Sequence, residues 1–249
     1  MPAPPNVSLL GTPDVHAACP VTLATPAKGD PLAKLSAGQV LARASSDAQA
    51  ESTVCLSTPA TFLGTRLIDP ATVVIVSLKD GRCEGTVTAP GGGLATVIKV
   101  GSDTWVWANQ AYARFLAPYL KGQTAETVSA RVGKWILSGT LNHATAEVPD
   151  SCSIPLAEFA QMAALSTNTD SQGTRVADFT MIDGQRTVGI TDPLGEVDYI
   201  SDTSRPLPAR ETIPSTPTVT FDYFDFGIAA TISAPPASDV VDGSTYGLG

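Results

Sequence analysis

The stretch from Thr72 to Ala108 reads TVVIVSL, then Lys79-Asp80-Gly81-Arg82, CEGTVTA, Pro90-Gly91-Gly92-Gly93, LATVIKV, Gly101-Ser102-Asp103 and TWVWA. Four short runs rich in β-branched or aromatic residues are divided by turn residues. Glycine supplies positive φ at a reversal, and aspartate or serine supplies local hydrogen bonds. Strands this close together are joined by hairpins, because a parallel pair needs a crossover of about a dozen residues. The stretch therefore predicts an antiparallel meander. Thr86 and Thr88 alternate with Val87, and Thr104 and Val106 alternate with Trp105 and Trp107. Alternation of this kind predicts one sheet face turned to a core or cavity and the other to water.

Upstream, Ser36 caps a predicted helix, AGQVLARASSDAQAE, with Leu41, Ala44 and Ala48 on one side. Residues 53–68 read as a strand pair or one bent strand, and Pro59 implies an edge or a bulge. Downstream, Asn109 caps QAYARFLAPYL, whose amphipathic set is Tyr112, Phe115, Leu116 and Tyr119, with Pro118 ending or kinking it. Residues 122–132 read as a polar loop, and 134–137 as a short strand. A second amphipathic helix is predicted over 154–165, with Pro155 in its first turn and Leu156, Phe159, Met162 and Ala163 on its buried side.

The strand pattern resumes at Thr174. TRVADFTMI, Asp183-Gly184 and QRTVGITD form the strongest hairpin signal in the chain. GEVDYIS follows, then a Pro-rich connection through Pro206, Pro208 and Pro214. PTVTFDYFDFG and IAATISAPP are expected to close the sheet, with Val219, Phe221 and Tyr223 on one face of the first and Thr220, Asp222 and Phe224 on the other. The expected organisation is a Pro-rich flexible tail over 1–30, a single domain over 31–242 and a polar tail over 243–249. Its class is α+β, a large antiparallel sheet with helices gathered on one face.

A length of 249 residues and a hydrophobic fraction of 43% suit a soluble globular chain of one large domain or two small ones. The net charge of −9 argues against a nucleic-acid partner, which needs a basic stripe. The first residues lack the basic and apolar regions of a signal peptide. That fits a cytosolic chain, or a mature secreted chain given a new start methionine. Cys19, Cys55, Cys83 and Cys152 favour the second. They are even in number, none is spaced C-x-x-C, and only His16 and His143 could join them in a metal site. Two disulfides in an oxidising compartment are expected, with three connectivities open.

Catalytic signals are weak. His16 lies in the tail, and His143 has no G-x-S-x-G elbow to serve. Gly91-Gly92-Gly93 joins two strands with no Lys-Ser/Thr after it, so it is a hairpin turn and not a phosphate loop. Asp222 and Asp225 flank aromatics in a strand, where exposed strand-face residues are expected and a glycosidase pair is a remote alternative. No enzyme activity, cofactor or metal is expected.

The order LSAGQVLARA, GRCEGTVTAPGGG, VIKVGSDTWVWANQAYARF, GKW, CSIPLAEF and finally VTFDYFDFGIAATISAPPASDVVD resembles the actinobacterial lipoproteins of the LppX/LprG type, which share the LolA-like fold. The resemblance runs from about Leu35 to Asp242. Its most specific piece is the C-terminal one, an aromatic-Asp-aromatic-Gly turn followed by Ala234-Pro235-Pro236-Ala237-Ser238. It implies a curved antiparallel half-barrel whose concave face is covered by helices. It also implies carriage of acyl chains, glycolipids or lipoproteins in the cell envelope, and the disulfides Cys83–Cys152 and Cys19–Cys55. Two departures stand out. Ala17-Ala18-Cys19 has the small residues of a lipidation site but no apolar run before it, and Ala108 stands where the family often has lysine.

The expected function is a non-enzymatic lipid or lipoprotein carrier, secreted or in the cell envelope. Its membrane-surface association would run through a lipid anchor since removed. Val74, Val76, Trp105, Trp107, Phe115, Leu156, Phe159 and Met162 are the expected lining of an apolar cavity. Any one of them is ordinary core by default, and the cavity is argued from the set. The competing expectation is a structural or protein-interaction subunit with a collapsed cavity and a protein partner.

Overall fold

The Thr72–Ala108 meander is the spine of the molecule. In the computed structural model, β4 (Ala71–Ser77), β5 (Cys83–Ala89), β6 (Gly93–Val100) and β7 (Asp103–Ala108) pair antiparallel in sequence order. The structure describes residues 19, 32–59, 62–63, 66–67, 71–89, 91–116, 132–138, 147–167, 174–215 and 218–242. His16, His143, Tyr119, Pro118, residues 122–131 of the expected loop and both proposed tails apart from Cys19 lie outside them.

The other strands are β1 (Thr53–Pro59), β2 (Phe62–Leu63), β3 (Arg66–Leu67), β8 (Trp135–Ser138), β9 (Thr174–Ile182), β10 (Gln185–Thr191), β11 (Val197–Ser201), β12 (Pro208–Ile213), β13 (Val219–Phe224) and β14 (Val240–Asp242). All but β2 and β3 join one open twelve-stranded sheet, ordered β14-β8-β7-β6-β5-β4-β1-β13-β12-β11-β10-β9. Every pairing is antiparallel except β14 on β8. The α+β expectation holds, as a sheet that is not closed into a barrel. Asp183 (φ 48°) and Gly184 (φ 79°) make the β9–β10 reversal, both in the left-handed region that a two-residue hairpin turn of this kind requires.

Three details differ from expectation. Pro59 does not mark an edge, because β1 is central, between β4 and β13. Pro59 is its last residue, beyond the Cys55–Ser57 stretch that runs beside β13. The Pro-rich connection contains β12, since Pro208 only opens the strand and Ala209–Ile213 are free to pair. IAATISAPP forms no strand. Ile228 and Ile232 instead lie against the sheet, as part of an apolar cluster with Cys55, Val73, Ile75, Ile98 and Trp105.

That cluster overturns the simple alternation as well. Thr86 and Thr96 face each other across β5 and β6 and are buried, as are Ile98 and Trp105 on the same side. The face expected to meet water is covered over the central strands. Cys19 is bonded to Cys55 there, and Trp135, Leu137, Phe224 and Val240 pack around it.

The opposite face carries the helices. Helix α1 (Ala37–Gln49) begins with a capping box. The Ser36 hydroxyl accepts from the Gln39 N–H, and the Gln39 side chain accepts from the Ser36 N–H. Its buried side is Ala37, Gly38, Val40, Leu41, Ala44, Ser45 and Ala48, small enough for a second helix to approach closely. That helix is α3 (Glu147–Thr167), longer than predicted and starting earlier. Pro155 is therefore inside the helix rather than in its first turn, and removes one backbone hydrogen bond there. The short α2 (Gln110–Leu116) lies over the β5–β6 hairpin. Asn109 fixes it: the side-chain oxygen accepts from Tyr112 N (2.8 Å) and Leu94 N (3.1 Å), and the amide donates to the Gly92 carbonyl (2.9 Å). Gly93 is needed beneath, because a Cβ there would come within 3.1 Å of the Tyr112 backbone.

Candidate functional site

The layer between helices and sheet is built from Val54, Leu56, Val74, Val76, Val87, Val97, Val188, Ile190 and Ile200 below and from Val40, Leu41, Phe159 and Met162 above. Phe159 is a fully packed aromatic of α3 in this layer. Its ring lies 5.7 Å from Tyr223 and 6.0 Å from Phe226. Its backbone carbonyl accepts from Ser45 Oγ (2.7 Å) and from the Gln49 side chain (3.3 Å), so α1 holds α3 by polar contacts as well as by packing. The disulfide Cys83–Cys152 ties the first half of α3 to β5.

Where this layer reaches the surface, a hollow of about 320 Å³ opens between the end of α1, the β4–β5 turn and α3. It is lined by Gln49, Leu78, Leu156, Phe159 and Ala160. Leu156 is 37% exposed at this site, although the sequence pattern placed it on the buried side of the helix. The long helix is turned so that Cys152, Pro155, Glu158, Phe159 and Met162 point inward, with Ala163 half-buried.

The structure divides the expected lining residues. Val74, Val76, Phe159 and Met162 meet in the helix-side layer, Phe115 packs against it, and Leu156 stands at the hollow. Trp105 is on the other face, buried in the cluster around Cys55. Trp107 pairs with Thr96 and points to that same side. The alternation showed that the two tryptophans share a face. Only tertiary packing decides which face receives the helices.

One group of residues carried no sequence signal. Glu158 of α3, Asp198 of β11 and Glu211 of β12 are 6%, 7% and 5% exposed, all in the helix-side layer. Asp198 and Glu211 are cross-strand neighbours. Glu158 reaches down from α3 and hydrogen-bonds with both. Tyr223 Oη donates to Glu211 Oε2 at 3.0 Å. Burial is the main force on each carboxyl, and the neighbouring acids add to it. Burial pushes Glu211 up to about 8, helped by the charge of Glu158 and opposed by the Tyr223 hydrogen bond. Glu158 and Asp198 are raised by burial first and by neighbouring carboxylates second. The Tyr223 hydroxyl is driven up by burial and by Glu211. The cause is the absence of a counter-charge: among the described residues no ion pair involves any of the three acids. Asp202 shows the contrast. Its side chain is fully buried, but Arg186 Nε lies 3.4 Å away and the Leu32 N–H donates to it at 3.2 Å.

No protein-family model matches the sequence, and no curated protein matches it. Solved structures do. The crystal structure of LprF from Mycobacterium bovis aligns with a TM-score of 0.51 at 14% identity, covering 81% of this chain and 97% of that chain. The Mycobacterium tuberculosis lipoprotein LppX aligns at 0.44 and 14% identity, over 79% of this chain and 98% of that one. A LolA superfamily protein from Nitrosomonas europaea aligns at 0.26 and 11% identity, over 79% and 95%. The likeness to LprF bears out the LppX/LprG-type, LolA-like fold expected from the sequence motifs.

Proposed function

We propose that this protein is a non-enzymatic, extracytoplasmic carrier that shelters an apolar chain between α3 and the sheet. The observation that carries the reading is the 320 Å³ hollow, which is lined by Leu156 at the surface and by Phe159 of the apolar layer. Its volume is at the low end of the roughly 300–1,000 Å³ of small-molecule sites. Each buried methylene contributes about 0.8 kcal/mol, so ten of them supply about 8 kcal/mol before ordering costs. An acyl chain needs no charged partner to be held. Val74, Val76, Phe115, Phe159 and Met162 are the side chains it would meet on passing inward. The fold likeness supports the reading, and the two disulfides support an oxidising compartment. No described helix is long and apolar enough to cross a membrane. Cys19 is spent in a disulfide, so any lipid anchor would need another attachment point.

The close packing of the helix-side layer favours a second reading, an interaction subunit whose cavity is collapsed. Val40, Val54, Leu56, Val74, Val76 and Met162 are all fully buried in this conformation. Native mass spectrometry of protein from an actinobacterial host, beside an organic extract of the same sample, separates the two. A discrete lipid released in stoichiometric amount supports the carrier. Clean protein that co-purifies with a stoichiometric protein partner overturns it.

A further inference from the structure

Three buried carboxyls on three different elements meet in the layer beneath α3: Asp198 and Glu211 are cross-strand neighbours, and Glu158 hydrogen-bonds to each of them. An ionised carboxylate is acceptor-only, so two carboxyl groups share a hydrogen bond only when one of them keeps its proton. Among the described residues, the charged and titratable groups around them are acidic or phenolic. Asp192 and Glu196 approach from the β10–β11 turn, and Tyr223 approaches from β13. Gln161 of α3 donates to Glu196 at 3.4 Å. Arg43 of α1 is committed to the Ser204 carbonyl, Arg205 to Glu51, and Arg186 to Asp202. The contact of Glu158 with Asp198 of β11 and Glu211 of β12 is thus cohesive when protons are present and repulsive when they are not.

We propose that α3 is a proton-held lid: the Glu158–Asp198–Glu211 cluster clasps it to the sheet while protonated and releases it as the pH rises, with the Cys83–Cys152 disulfide as the hinge. The disulfide makes release a swing and not a loss, because Cys152 stays on β5 while the half of α3 beyond Glu158 moves. The device stands on the cluster alone and holds whatever the interior receives.

The direction follows from linkage. A carboxyl exposed by opening ionises near pH 4, whereas the same group in the closed state keeps its proton to higher pH. Opening is therefore hardest below about pH 4. It becomes easier through the interval up to the closed-state titrations, near pH 8 for Glu211 and about 9 for Glu158, and levels off only above the higher of them. Each proton released on opening raises the opening constant about tenfold per pH unit inside that interval.

Hydrogen exchange followed by mass spectrometry tests this on the intact, disulfide-bonded chain between pH 5 and pH 8. The protection of α3 beyond Glu158 is divided by that of β4–β6 at each pH, which cancels the intrinsic pH dependence of exchange. The ratio is expected to fall at least about tenfold per pH unit. In Glu158→Gln the slope should drop by one proton while the ratio at pH 5 stays near that of the wild type. A flat wild-type ratio overturns the proposal, and so does a Glu158→Gln slope equal to the wild type. Carboxyl carbon NMR of the wild type needs no variant. Three resonances titrating above pH 6 support the lid, and titration of all three near pH 4 overturns it.

Discussion

The two faces of the sheet are held in different ways. On the face around Cys55, the contacts are a covalent bond to Cys19 and apolar side chains from the chain's last segment, Ile228, Ile232 and Val240. None of these contacts changes between pH 5 and pH 8. On the helix face, an apolar layer surrounds a group of acids that have no ion-pair partner among the described residues. Burying carboxyls that hold their protons is tolerable, and burying them ionised and unpaired is not. One face is therefore fixed and the other conditional, although both belong to the same strands. A protein can keep a stable frame and a movable cover by giving the cover the contacts that titrate.

The largest test of this contrast is Phe159→Ala. It removes a 2%-exposed ring that touches Tyr223 and Phe226, and should destabilise by about 3–5 kcal/mol in urea unfolding. Next is the pair Cys19→Ala with Cys55→Ala, which opens the other face. It should cost about 2–4 kcal/mol and leave the pH response of α3 unchanged. An altered response would mean that the two faces are coupled through the sheet. Glu211→Gln sharpens the comparison without removing packing. Because the native pKa is raised, the wild-type acid stabilises at low pH and that contribution is lost as the pH rises towards 8. The variant should melt a few degrees higher than wild type at pH 8 and close to it at pH 5. The smallest effect is expected from Asn109→Ala, about 1 kcal/mol, since it removes a cap without touching either the acids or Cys55.

The sheet was legible because its information is local. The turns at Lys79-Asp80-Gly81, Gly91-Gly92-Gly93 and Asp183-Gly184 announce where the chain reverses, and strands between near reversals have few partners to choose from. The capping residues Ser36 and Asn109 were readable for the same reason. β12 was hidden by its flanking prolines, which also suit a linker. The inward turn of Glu158 was not readable at all. A glutamate in an amphipathic helix belongs to the wet side by default, and what reverses this is the position of Asp198 and Glu211, brought to it by pairing between later strands. The two tryptophans were misassigned for a related reason, since a strand states which residues share a face but not what will cover it.

The strand order has a consequence for the life of the chain before it is native. The meander β4–β7 and the run β9–β12 are each built from neighbours in sequence, but they meet only where β1 lies against β13, and Cys55 is partnered by Phe224 across most of the chain. Contacts this distant form slowly. Until β13 has been synthesised, β1 keeps an unpaired edge in the middle of what will be the sheet, and unpaired edges invite pairing with other molecules. The Cys19–Cys55 bond needs only residues from the first quarter of the chain, so an oxidising environment can tether the early segment to β1 while that strand still waits for its partner.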